Sequence, residues 1–177
     1  SLKEELEEDV KRINDRNEEV LKRLREVAKK LLDDDRKLLK ELKKVVEDVL
    51  RDVDREVRDK DKVKEVKERI KKILKEAEEM SRRSLEELKR ILAEVERRVA
   101  ELNKETKRIL DEARRVKDAE VIKKILEELE KLIKDSEDTA REIIKELKEL
   151  VERSKRKVEE ILKELEDLLE ELKRRAD

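Results

Sequence analysis

The chain reads as all-α: an antiparallel, up-down-up three-helix bundle of long, nearly straight helices of about 55 residues each. Three observations predict it. Apolar residues recur at three- and four-residue steps along almost the whole sequence, which is the spacing of one helix face. That spacing lapses at only two places, near residues 60 and 118. And the residue types that end helices or shape turns are missing, since the 177 residues include no Gly and no Pro.

In the first segment the apolar positions run from Leu2, Leu6, Val10 and Ile13 through Leu24, Leu31 and Leu42 to Val53 and Val57. Ser1 and Glu4 fit a capping box, in which each side chain satisfies an orphan N–H of the other residue. The pattern predicts a helix over about 2–58. It lapses across Arg58-Asp59-Lys60-Asp61-Lys62, where Asp59 or Asp61 can cap the next helix.

The second segment, about 62–116, carries Val63, Ile70, Ala77, Leu88, Val95, Leu102 and Ala113. A second lapse falls at Lys117-Asp118, with Asp118 the natural N-cap. The third segment, about 119–176, resumes with Val121, Ile122, Ile125, Leu129, Leu147, Leu165 and Leu172. At 1.5 Å per residue each helix is roughly 80 Å long, and short connections make sequential helices antiparallel. All three belong to a single domain, 1–177.

Equivalent core positions recur 18 residues apart, in Leu6, Leu24 and Leu42, in Ala77, Val95 and Ala113, and in Leu129, Leu147 and Leu165. Eighteen residues make about five whole turns, so these side chains leave their helix in one direction. A heptad would impose a left-handed supercoil, whereas this longer period keeps a helix nearly straight. The middle helix also tolerates a heptad reading through Leu74, Ser81, Leu88 and Val95. Outer faces carry Glu-to-Lys/Arg pairs at i,i+4, such as Glu68/Lys72, Glu149/Arg153, Glu159/Lys163 and Glu170/Arg174, each worth a few tenths of a kcal/mol.

The apolar stripes are interrupted by polar residues in the same 18-residue relation: Asn17 with Asp35, and Ser136 with Ser154. In an antiparallel pair, facing residue numbers have a constant total, about 120 for a turn near residue 60. This criterion brings Asn17 opposite Asn103, Asn14 opposite Thr106, and Asp35 opposite Ser84. The second turn brings Ser81 opposite Ser154 and Asn103 near Ser136. Two layers follow, one of Asn14, Asn17, Asn103, Thr106 and Ser136, the other of Asp35, Ser81, Ser84 and Ser154.

A buried polar group without a partner costs roughly 1–3 kcal/mol, so any register that separates these residues is penalised. In a core of interchangeable Leu, Ile and Val little else sets the register. Asp35 is the least comfortable member: burial disfavours its charge, and Ser81, Ser84 or Ser154 would have to donate to it. The alternative is that Asp33-Asp34-Asp35, Ser84-Leu85-Glu86-Glu87 and Asp135-Ser136-Glu137-Asp138 are loops or fresh caps dividing the chain into five or six helices. The apolar spacing continues through all three.

Charged residues are 59% of the chain, yet 52 Lys and Arg against 53 Asp and Glu leave a net charge of −1. There is no basic field for nucleic acid, and no aromatic residue to stack on bases. The absence of Cys and His removes thiolate and imidazole chemistry, and a metal site at Asp33–Asp35 is disfavoured because Asp33 and Asp34 point away from Asp35. No apolar run is long enough to span a membrane. No signal peptide is recognisable at the start, and a first residue of Ser rather than Met points to a processed recombinant product. Localisation is expected to be soluble and cytoplasmic on recombinant expression.

The Gly-free helices, the Glu/Lys/Arg surface, the Leu/Ile/Val core and the Asn/Ser/Thr layers together resemble computationally designed helical bundles with buried hydrogen-bond networks. The resemblance covers the whole chain, is one of style rather than motif, and implies a very stable scaffold with no evolved substrate. A natural charged coiled coil or single α-helix is the plainer alternative.

The chain is therefore expected to be no enzyme, to need no cofactor and no metal, and to require no partner. No His, Cys, Tyr or Lys sits mid-stripe as nucleophile or base, and close packing is expected to leave no substrate pocket. Stripes covering about a third of each helix suffice for two neighbours, which favours a monomer over self-association. The alternative function is an interaction module, either an oligomeric bundle component or a switch with a displaceable third helix.

Overall fold

The structure, a computed structural model, describes residues 1–176, except for the side chains of Leu172, Lys173, Arg175 and Ala176. The expected core position Leu172 therefore lies outside the described side chains. Three helices pack as an antiparallel bundle: α1 (Leu2–Glu56), α2 (Lys60–Arg115) and α3 (Ala119–Ala176). Each runs unbroken through the three places where loops were the alternative reading.

Each helix starts on a cap. Ser1 Oγ accepts from the Glu4 N–H at 3.4 Å, while the Glu4 carboxylate lies 3.6 Å from the Ser1 amine, so the two ends of the box meet. Asp59 Oδ1 accepts from the Asp61 N–H at 3.1 Å and Asp118 Oδ1 from the Glu120 N–H at 3.0 Å. The carbonyls of Ser1, Asp59 and Asp118 also accept the first helical bonds, from Glu5, Val63 and Ile122. The end of α2 is covered by Lys3, whose Nζ donates to the Arg114 carbonyl at 3.0 Å. No described residue has positive φ, so both three-residue connections, 57–59 and 116–118, are made without Gly.

The boundaries differ slightly from expectation. α1 ends at Glu56 rather than 58, and α2 spans 60–115 rather than 62–116. Asp59 is the residue that caps α2, and a cap must leave helical geometry. The first connection therefore falls two residues earlier than the lapse in apolar spacing suggests. Val57, released from α1, packs against apolar core residues instead. Val121, expected in the core stripe, is 40% exposed: on the first turn of α3 it is the adjacent Ile122 that turns inward.

All nine residues of the three 18-residue series, from Leu6 to Leu165, are buried, none more than 6% exposed. A helix rises about 1.5 Å per residue, so residues forty positions apart on the same helix lie about 60 Å apart and cannot share a core. The expected single domain accordingly resolves into two compact units, each drawing on all three helices. The first comprises residues 1–28 and 88–147, with a core around Leu6, Val10, Ile13, Ala113 and Leu129. The second comprises 29–87 and 148–177, with a larger core that includes Leu42, Val53, Ile70, Ala77 and Leu165.

Charges between helices are matched in both units. In the first, Glu7 pairs with Arg114, Arg25 with Glu96 and Arg16 with Glu137. In the second, Lys43 pairs with Glu78 and Asp54 with Lys67. Of the i,i+4 pairs expected within helices, Glu170–Arg174 closes at 3.9 Å, but the tightest are i,i+3 pairs such as Asp9–Arg12 at 2.6 Å.

Candidate functional site

The polar residues singled out in the sequence fall into two groups, one in each unit. In the first unit Asn17 is 3% exposed and links all three helices. Its Nδ2 donates to Asn103 Oδ1 of α2 at 3.1 Å, and its Oδ1 accepts from Ser136 Oγ of α3 at 3.1 Å. An amide suits this place because it carries donor and acceptor on one planar group, so it can bridge two neighbours at once. One turn away Thr106 is fully buried, and its hydroxyl proton is shared between the Asn103 carbonyl at 2.9 Å and Asn14 Oδ1 at 3.3 Å. Asn14, Asn17, Asn103, Thr106 and Ser136 are thus one connected network.

In the second unit the acceptor is a carboxylate. Asp35 Oδ2 accepts from Ser81 Oγ of α2 at 2.5 Å, and Oδ1 accepts from Ser154 Oγ of α3 at 3.3 Å. Ser84, the residue expected to face Asp35, is half-buried but is not one of the donors. A constant-total criterion locates facing turns, not facing atoms. Ser81 and Ser84 sit three residues apart on one face, and side-chain reach chooses between them.

Asp35 itself is half-buried rather than enclosed, whereas Ser154 is buried. Asp35 borders a groove of about 420 Å³ between α1 and α3, lined by the charged Asp34, Lys37, Glu152 and Lys155 and by the aliphatic Leu31, Leu38 and Val151. Solvent access together with two hydroxyl donors accounts for a charged residue in this stripe, because both reduce the desolvation that burial would impose. Asp33 and Asp34 are exposed. Among the described residues no three acidic side chains converge as a metal site would require, and no buried side-chain nitrogen or oxygen lacks a hydrogen-bond partner.

The expectation of close packing without a pocket is corrected in both units, by the groove at Asp35 and by another in the first unit. A half-open groove of about 260 Å³ adjoins the Asn17 network. Its floor is formed by the buried Asn17 and Leu24 of α1, and its walls by Val95, Val99 and Leu102 of α2 and Leu132, Ser136 and Ala140 of α3. The exposed side chains of Arg98, Asp135 and Thr139 mark a mouth between α2 and α3. The signal was present in the sequence: Ser136 and Ala140 are two small residues one turn apart on a stripe built mainly of Leu, Ile and Val.

Among the described residues no helix is long and apolar enough to cross a membrane. Comparisons with protein-family models, with curated proteins and with solved structures found no match.

Proposed function

We propose that the chain is a structural scaffold, a designed helical bundle without a natural biochemical function, in which polar core layers specify helix register. The observation that carries the reading is Asn17, which bonds one partner on each of the other two helices. A polar residue kept for local reasons needs a single partner, whereas one that joins three helices constrains all of them together. Asp35 repeats the arrangement with Ser81 and Ser154. The hydroxyl, amide and carboxylate groups of the two layers bond chiefly to one another, so the proposal assigns them no catalytic role, no cofactor and no obligate partner.

The test replaces both layers by aliphatic residues of similar volume and compares oligomeric state by sedimentation and spectral dispersion by NMR. The native chain is expected to sediment as a monomer with one set of resonances. The layer-free variant is expected to be as stable or more so, yet to self-associate or show several conformers. A layer-free variant that stays monomeric with one sharp set of resonances would overturn the role in register. A native chain that sediments as a dimer would move the reading to an interaction module.

A further inference from the structure

We infer that the groove beside Asn17 is a binding site for a small, uncharged, mostly apolar molecule bearing one hydroxyl group, of the size of a monocyclic phenol. This goes beyond the scaffold reading, which needs no ligand. The groove measures about 260 Å³, and dry apolar cavities of about 150 Å³ already admit benzene. It exists because Ser136 and Ala140 leave unfilled the volume that two large aliphatic side chains would occupy. No aromatic residue is available anywhere in the chain to fill it.

The polar end of the ligand is set by hydrogen-bonding capacity. Asn17 Nδ2 has two N–H groups, one of them given to Asn103, and Ser136 donates its proton to Asn17 while keeping oxygen lone pairs. Asn17 and Ser136, both in the lining, thus bring a donor and an acceptor to a mostly aliphatic groove. A hydroxyl group, which both donates and accepts, matches that pair.

Charge is disfavoured on three counts. The floor holds no ionised group, and Arg98 at the mouth is bonded to Glu94 at 3.1 Å. Arg98 and Asp135 also bring opposite signs to the rim, so neither sign of ligand gains from entering.

The experiment titrates 4-methylphenol into the full chain by calorimetry, with methyl NMR spectra as the local readout, and compares toluene and 4-methylbenzoate. Saturable binding of 4-methylphenol is expected, with shifts at Val99, Leu132 and Ile143. Toluene should bind about thirtyfold more weakly for want of two hydrogen bonds, and 4-methylbenzoate at least about tenfold more weakly. Ala140→Leu, which fills the groove, should abolish binding, and Val99→Leu on the opposite wall should weaken it. Should Ala140→Leu not fold, Val99→Leu decides. No saturable binding, or folded variants that bind as the native chain does, would overturn the site. Equal affinity for toluene and 4-methylphenol would overturn the polar end.

Discussion

Ser136 Oγ donates to Asn17 Oδ1 at 3.1 Å across a separation of 119 residues, and Ser154 meets Asp35 at the same separation. The register of α3 against α1 is therefore stated twice. A slip by one turn, about 5.4 Å, separates both pairs at once. The next register that sets Ser136 or Ser154 opposite Asn17 or Asp35 lies 18 residues away, about 27 Å of lost helix overlap. Near slips are penalised by orphaned polar groups and the far one by exposed core.

Removing the hub of the first network should be costly. Asn17→Ala is expected to lower stability by roughly 2–3 kcal/mol, because Asn103 Oδ1 and the Ser136 hydroxyl lose their partner together. A double-mutant cycle with Asn103→Ala should return a coupling of about 0.5–3 kcal/mol. Denaturant titration of the four species measures it, and a coupling indistinguishable from zero would mean the bond holds nothing.

Asp35→Leu should act in the opposite direction. Leu extends the Leu31–Leu38 face, and the hydroxyls of Ser81 and Ser154 can turn to carbonyls of their own helices. A gain of about 1 kcal/mol is expected, or about 2–4 °C in Tm for a chain of this size. Asp35→Ala, which adds no apolar volume, should lower Tm. Scanning calorimetry separates the two, and a clear drop for Asp35→Leu would assign the carboxylate a net stabilising role.

Asp59→Ala and Asp118→Ala should each cost about 1 kcal/mol by uncovering the first turns of α2 and α3, whereas the Asn variants should lose only a few tenths. The two caps share no contact, so the double Ala variant is expected to lose the sum. Urea midpoints test both statements.

Surface ion pairs should matter little. Glu96→Gln breaks the contact with Arg25, but Glu96 is 46% exposed, so the loss should stay below about 1 kcal/mol. In 1 M NaCl the difference between native and variant should vanish, since the screening length falls to about 3 Å. A difference that survives high salt would mean that the pair acts through packing.

Much of the fold was legible because helices are written in local terms. The 18-residue series from Leu6 to Leu165 identifies buried faces from spacing alone, and Asp59 and Asp118 announce helix starts through chemistry confined to one turn. The pairing of Asn17 with Asn103 could be read as well, since a short connection fixes which turns face each other. The same spacing sets Ser136 near Asn103, but it bonds Asn17 instead. The choice of Ser81 over Ser84 could not be read, because both lie on the same face and differ only in where the hydroxyl ends up. The turn of Val121 into solvent and the early end of α1 were hidden for a related reason. Apolar spacing marks a stripe, and a capping residue decides where the stripe stops being helix.

By itself the amino-acid order determined three helices, two turns and two inward-facing polar belts. Each follows from periodicity and capping, which operate within a few residues of one chain segment. Only the tertiary structure decided that Asp35 stands at the edge of a groove rather than sealed inside, and that Ser136 and Ala140 leave a half-open groove beside Asn17. Those outcomes depend on how side chains from three helices divide one shared volume, and no single stretch of sequence contains that division.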